Sequence, residues 1–168
     1  KLLSVSTSVE EKVTFSCKDL IMATAHSVQT QFNLPDVDID VVGEDASIHS
    51  LPTALSQIIH HIVSNSIIHG FKLIHGELDD KIQNPRIIIT MSITETEVII
   101  ECSDNGIGMD IEMTEKIFEA FSTHRLGAGG TGLGMNIVYN IVTQGLSGNI
   151  ECKSQLGKGT VYQIQFPR

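Results

Sequence analysis

A glycine-rich segment that leads directly into an apolar helical pattern constrains this chain more than any other feature. Glycines recur through positions 127–134, and Leu133, Ile137 and Ile141 then repeat every four residues. Glycine lets a ligand approach the backbone closely, and a helix start presents unpaired N–H groups to an anion. The segment therefore predicts a phosphate cradle, although a glycine-rich surface loop that binds nothing is the common alternative.

Length, charge and cysteine content limit the class of protein. The 168 residues suit one domain with a real core, and the net charge of −9 argues against a nucleic-acid surface. The three cysteines, Cys17, Cys102 and Cys152, are widely spaced and match no metal-ligand pattern. No apolar stretch is long enough to cross a membrane. We expect a cytoplasmic domain cut from a longer protein, with residues 1–12 as a linker or the end of a preceding dimerisation domain and 13–168 as one catalytic domain.

Periodicity predicts an α+β fold, a two-layer sandwich with a mixed, mostly antiparallel sheet of about five strands and three long helices on one face. Polar residues at 43–50 predict a turn, and an apolar cluster at 115–121 predicts a short helix. The expected long elements are strands at 13–15, 37–41, 86–93, 97–103, 150–153 and 160–166, and helices at 17–32, at 51–69 and after Gly134.

Two segments carry polar residues where a ligand could meet them. On the helix at 51–69, a polar ridge of Gln57, His61, Asn65 and His69 runs beside the apolar stripe, although a solvated helix edge would look the same. The strand at 97–103 runs into Asp104-Asn105-Gly106-Ile107-Gly108-Met109. An acidic residue followed by two glycines suits a ligand site, and also an ordinary turn.

Five segments together resemble the ATP-binding catalytic domain of bacterial sensor histidine kinases, whose superfamily includes the DNA gyrase ATPase region and a heat-shock chaperone. Each segment is common alone, but their order and spacing match the family over nearly everything after about residue 13. The matching segments are Ser64-Asn65-Ser66-Ile67-Ile68-His69-Gly70, Asp104-Asn105-Gly106-Ile107-Gly108-Met109, Ile117-Phe118-Glu119-Ala120-Phe121-Ser122-Thr123, Gly130-Thr131-Gly132-Leu133-Gly134 and Gly157-Lys158-Gly159-Thr160.

The resemblance implies ATP and Mg²⁺ as cofactors and gives roles to particular residues. Asn65 would hold Mg²⁺, Asp104 would accept a hydrogen bond from the adenine amino group, and Thr160 would support the base. Gly106 and Gly108 would let the backbone approach the ring. The base would lie among Ile68, Ile107 and Met109; phosphate contacts would come from His69, Arg125, Gly130, Thr131, Gly132, Leu133 and Gly134.

The resemblance also has a departure at position 61. Hydrolases of the superfamily carry Glu four residues before the metal Asn, where it activates water, whereas this chain has His61. A histidine there could position a group or take a proton. The missing Glu favours phosphoryl transfer to a protein side chain, and we expect His61 and Asn65 to be the catalytic residues. Ser122–Gly130 is expected to be a lid.

The resemblance implies a kinase whose phosphoacceptor histidine lies on a separate dimerisation domain, in a parent protein that is a homodimer and phosphorylates a response regulator. His26 is the helical candidate within this chain, but Ser27 follows it where an acidic residue is usual. The alternatives are a related ATPase, an anti-sigma-type serine kinase switch module that phosphorylates or sequesters a small partner, and a pseudokinase. The presence of Asn65, Asp104 and the glycines argues against the last.

Overall fold

One sheet of five strands with helices on one face forms the domain in a computed structural model, which describes residues 9–119 and 134–168. Two further strands form a separate antiparallel pair. The seven strands are β1 (Val13–Ser16), β2 (Asp38–Val42), β3 (Ser47–Ser50), β4 (Arg86–Ile93), β5 (Glu97–Asp104), β6 (Asn149–Gln155) and β7 (Gly159–Pro167). The large sheet has the order β2-β4-β5-β7-β6, in which β2 and β4 are parallel and the other neighbours are antiparallel. The predicted α+β sandwich is thereby confirmed.

Within residues 9–119 and 134–168, four α-helices and two π-helical turns accompany the sheet. The helices are α1 (Cys17–Phe32), α2 (Pro52–Asn65), α3 (Ile111–Glu115) and α4 (Gly134–Asn140). The first π-helical turn, Ser66–Gly70, continues α2, and the second, Ile141–Gly145, continues α4. α1 begins at Ser16, whose side chain accepts a hydrogen bond from the Asp19 N–H, and ends at Asn33 in the left-handed conformation.

The core lies between the sheet and the helices, with α2 in contact with both α1 and α4. Alternate residues of β5 and β7 face it, as expected for strands with one buried face. Burial raises the pKa of the Cys17 and Cys102 thiols to about 12, so both behave as small protonated core residues. Within the described ranges, no helix has both the length and the apolar character needed to span a membrane.

The expectation of a polar turn over residues 43–50 is wrong at its end. Residues 47–50 form β3, which pairs antiparallel with β1 and places Val13 opposite Ser50. Ile48 and Ser50 are buried, while Ser47 and His49 are exposed. The alternation is therefore present, but only one of the four residues is apolar, so the sequence pattern resembles a loop.

The short helix expected at residues 115–121 lies earlier in the chain. α3 covers Ile111–Glu115 and begins at Asp110, whose side chain accepts a hydrogen bond from the Met113 N–H at 2.8 Å. Residues 116–119 form turns, and residues 120–121 lie outside the described ranges. The capping aspartate, rather than the apolar cluster, determines where this helix starts.

Candidate nucleotide site

Asp104 lies at the end of a buried row of side chains on β5. The row consists of Val98, Ile100, Cys102 and Asp104, all on the face that packs against the helices. Because side chains alternate between the two faces of a strand, the same alternation that buries the apolar residues buries the carboxylate. Asp104 is 6% exposed, and its cross-strand partner on β7 is Thr160, which is buried on the same face.

Two hydrogen bonds hold the Asp104 carboxylate. The Ser66 hydroxyl donates to Oδ2 at 2.7 Å, and the Gly106 N–H donates to Oδ1 at 2.9 Å. Burial raises the pKa of Asp104 above its ordinary value, against the lowering effect of these two bonds and of the nearby Thr160 backbone. The result is a desolvated acceptor in a fixed orientation, which is what recognition of an amino group needs.

The glycines after Asp104 are required by close backbone contacts. A side chain at Gly106 would overlap the carbonyl oxygen of Gly70, which accepts a hydrogen bond from the Ile107 N–H at 2.9 Å. Gly108 has a φ of +70°, and a Cβ there would overlap the carbonyl oxygen of Gln155. The segment after β5 is thus clamped between the first π-helical turn and the end of β6.

A serine of β6 holds this segment to the start of β7. The Ser154 hydroxyl accepts from the Met109 N–H at 2.8 Å, donates to the Gly159 carbonyl at 3.0 Å, and lies 2.8 Å from the Thr160 hydroxyl. Met109 belongs to the buried core. Ile68 and Ile107, the other residues expected around the base, are both half-buried.

Asn65 is the last residue of α2 and is held from the sheet side. Its Nδ2 donates to the Tyr162 hydroxyl at 2.8 Å, and Tyr162 is buried on β7 two residues after Thr160. The predicted helix does continue through position 69, but it is α-helical only to Asn65. The Phe71 N–H donates to the Ser66 carbonyl, so the last turn is π-helical, a local feature that is frequent at functional sites.

His61 is one turn before Asn65 and faces the start of α4. Its Nδ1 lies 3.8 Å from the position that a Cβ would occupy on Gly134. The ring also makes an edge-on contact with His60, with centroids 5.9 Å apart. Burial, followed by the neighbouring His60, lowers the pKa of His61. His69 is half-buried in the first π-helical turn and no longer continues the α-helical ridge from Asn65.

The structure thus joins most of the predicted residues along one edge of the helix layer. The adenine candidates lie around Asp104, and Asn65 and His61 follow along α2 towards Gly134. Five predicted residues and the expected lid at 122–130 lie outside the described ranges: Arg125, Gly130, Thr131, Gly132 and Leu133.

Comparison with known proteins identifies the family. Residues 50–168 match the model of the histidine kinase-, DNA gyrase B- and HSP90-like ATPases. The chain belongs to this ATPase family. It is 45% identical over 71 residues to the sensor kinase CckA of Brucella abortus, an alignment that covers 42% of this chain and 7% of CckA. It is 28% identical over 160 residues to the histidine-protein kinase ArlS of Staphylococcus aureus, covering 93% of this chain and 33% of ArlS.

The same ATPase-family fold occurs in solved structures. The catalytic domain of the histidine kinase ThkA superposes with a TM-score of 0.73 at 24% identity, covering 94% of this chain and 95% of that domain. The chain spans a third or less of the two curated sensor kinases named above. The likeness therefore concerns the ATPase domain of such proteins.

Three residues that hold the candidate site together were not given roles from the sequence. Ser66 holds Asp104, Tyr162 holds Asn65, and Ser154 joins Met109 to Thr160. The sequence could have indicated a role for Tyr162, because a tyrosine on the buried face of a strand needs a hydrogen-bond partner for its hydroxyl. It could not do so for Ser66 and Ser154, since a serine beside a turn or in an edge strand is common.

Proposed function

We propose that this chain is the ATP-binding catalytic domain of a two-component sensor histidine kinase. It binds Mg²⁺-ATP and transfers the γ-phosphoryl group to a histidine on a separate dimerisation domain. The observation that carries the nucleotide-binding part of the proposal is the buried Asp104 carboxylate, held by Ser66 and Gly106 at the end of β5 in a chain of this ATPase family. Membership of the family alone would also fit a chaperone or a gyrase-type ATPase.

The adenine end of the site favours adenine over guanine. A carboxylate oxygen can accept more than one hydrogen bond, so Asp104 can take one from the adenine amino group beside those from Ser66 and Gly106. Guanine presents a carbonyl oxygen at that position. A buried carboxylate facing it would be left without its partner, a cost of about 1–3 kcal/mol.

The described residues fit a magnesium ion that is shared with the nucleotide. Asn65 Nδ2 donates to the Tyr162 hydroxyl, and the other branch of the amide is a carbonyl oxygen. Mg²⁺ prefers such hard oxygen ligands, keeps several waters and is usually completed by phosphates. Among residues 9–119 and 134–168, no group of three His, Cys, Asp or Glu residues could hold an ion by itself. Asn65 would therefore be one ligand of a nucleotide-bound Mg²⁺, which neutralises phosphate charge during transfer.

The residue four positions before the proposed metal ligand favours phosphoryl transfer to a protein over hydrolysis of ATP. His61 occupies the place one turn before Asn65 where the hydrolases of the superfamily carry Glu. His26, the helical acceptor candidate, is exposed on α1 and is followed by Ser27. We infer that the acceptor lies in another part of a cytoplasmic, homodimeric parent protein. A solved structure of ThkA is in complex with the response regulator protein TrrA; a response regulator is the partner that we propose here.

Incubation of the 168-residue chain with γ-labelled ATP tests this function. We expect bound Mg²⁺-ATP, slow hydrolysis at most, and no label on the chain itself. Addition of the parent's dimerisation domain should give acid-labile label on a histidine there, weakly, because the covalent link that raises local concentration is absent. Asp104→Asn should abolish the label, while Asp36→Asn, at an exposed loop position, should retain it. Acid-labile label on the isolated chain, or fast ATP turnover without an acceptor, would overturn the proposal.

A further inference from the structure

His61 and Asn65 lie four residues apart on α2, and each carries a side chain of a type that can bind a metal ion. Residues four apart on an α-helix have Cβ atoms about 5–6 Å apart, so both side chains can reach one ion. Helical metal sites in other proteins use the same spacing for two histidines. Both residues are half-buried at the edge of the helix layer, so a nucleotide-bound ion can approach them from solvent.

The His61 ring also lies at the end of the site where the phosphates belong. The distance of 3.8 Å from Nδ1 to a Cβ built on Gly134 places the imidazole against the first residue of α4. Gly134 ends the segment that the sequence identifies as the phosphate cradle. Within the described part of the chain, the ring contacts His60 edge-on and makes no hydrogen bond. Packing therefore holds the ring in place, and no described hydrogen-bond partner competes for its nitrogen atoms.

We propose that His61 is a second protein ligand of the nucleotide's metal ion, and that the His61–Asn65 pair makes the site prefer first-row transition-metal complexes of ATP, such as those of Co²⁺ or Mn²⁺, over Mg²⁺-ATP. This inference rests on the proposed function. Its chemical basis is ligand softness, because an imidazole nitrogen suits transition metals, whereas Mg²⁺ selects oxygen. Affinities at mixed nitrogen and oxygen sites also rise from Mn²⁺ to Co²⁺. An amide oxygen alone would give a smaller preference, because oxygen ligands also suit Mg²⁺.

His60 provides a matched control on the same helix. It is the adjacent residue and the same chemical group, but its Nε2 lies 3.3 Å from the Gln31 side-chain oxygen, on the side of α1. A general effect of removing a histidine from α2 would appear in both variants. A specific effect on the metal preference of the site should appear only in the His61 variant.

The experiment uses calorimetry to measure how tightly the protein binds a non-hydrolysable ATP analogue in the presence of Mg²⁺, Mn²⁺ or Co²⁺. Binding of each metal ion to the analogue without protein is measured as the reference. We expect Co²⁺ to support tighter binding than Mg²⁺. His61→Asn should reduce that preference at least about tenfold, the lower end of losses at supporting metal-site residues. His60→Asn should leave it unchanged. Equal metal preferences in the wild type and His61→Asn would overturn the inference.

A second measurement uses the unaltered chain and does not depend on a variant that folds. With the Mn²⁺ complex of the analogue bound, magnetic resonance of the ¹⁵N-histidine-labelled protein should show direct coupling of manganese to a single imidazole. Coupling to no imidazole would also overturn the inference. Failure of the chain to bind the analogue with any metal would instead refute the proposed function, so the two failures can be told apart.

Discussion

Replacement of Asp104 by asparagine separates recognition of the base from stability of the fold. In the wild type, Ser66 donates to one carboxylate oxygen and the Gly106 N–H to the other. An asparagine can keep its oxygen towards Gly106, which can only donate. It can turn its NH₂ group towards Ser66, whose hydroxyl can rotate to accept. Both bonds survive, and a buried charge is removed. We therefore expect the free energy of unfolding to change by less than about 1.5 kcal/mol.

Nucleotide binding should change much more than stability in Asp104→Asn. The NH₂ group that replaces Oδ2 cannot accept from the adenine amino group, and the remaining amide oxygen is an uncharged and therefore weaker acceptor. A hydrogen bond to a charged acceptor is worth about 1.5–3 kcal/mol, which corresponds to a loss of about 10- to 150-fold in ATP affinity. The same NH₂ group can donate to the guanine carbonyl, so GTP affinity should stay constant or rise.

Competition binding with ATP and GTP, together with thermal unfolding, tests both halves of this argument. Asp36→Asn is the control, because it makes the same chemical change at an exposed position between α1 and β2. A folded Asp104→Asn protein with ATP and GTP affinities within twofold of wild type would remove Asp104 from the base site. A variant that does not fold would show that the charge itself, rather than the two hydrogen bonds, holds the turn.

Three other perturbations have distinct expected results. In chemical denaturation, Gly108→Ala should lower the free energy of unfolding by more than about 1–3 kcal/mol, because backbone strain at φ +70° adds to overlap of the new Cβ with the Gln155 carbonyl oxygen. Gly76→Ala is the control, since Gly76 has a φ of +80° but no atom near the position of a Cβ, so this variant should show the cost of backbone strain alone. ADP affinity should fall as the pH falls through the raised pKa of Asp104, because protonation removes the hydrogen-bond acceptor. In binding titrations at a series of pH values, this loss of affinity should begin at a higher pH than an ordinary aspartate would give, and it should be absent in Asp104→Asn. Tyr162→Phe removes the acceptor of the Asn65 amide, so calorimetry should show Mg²⁺-ATP binding weakened roughly 2- to 10-fold and adenosine binding unchanged.

The sequence predicted those elements whose evidence is local. The hairpin of β4 and β5 and the helix α1 follow from apolar periodicity, and Asp104 followed from its place between a strand and two glycines. β3 was missed because its partner, β1, is some 30 residues away and only Ile48 marks its buried face. No local pattern distinguishes the π-helical turn at Ser66–Gly70 from a last turn of α2.

The contacts that complete the site join residues far apart in the chain. Asn65 and Tyr162 are 97 positions apart, and Ser66 and Asp104 are 38 apart. Neither contact could be predicted from periodicity, which identifies faces but not which residues of two faces meet. The resemblance to a family located Asn65 and Asp104 without these contacts, because it rests on the order of segments. It could not show what holds either side chain in place.

Two consecutive residues connect the proposed metal end of the site to the proposed base end. Asn65 bonds to Tyr162 on β7, and the next residue, Ser66, bonds to Asp104 on β5. β5 and β7 are neighbours in the sheet, so the end of α2 is attached to two adjacent strands at once. A shift of this end of α2 relative to the sheet would therefore strain both bonds together. A displacement of this end of α2 would consequently move the amide that we propose as the metal ligand and turn the carboxylate that we propose as the adenine acceptor at the same time, whereas the loss of one of the two bonds leaves the other in place.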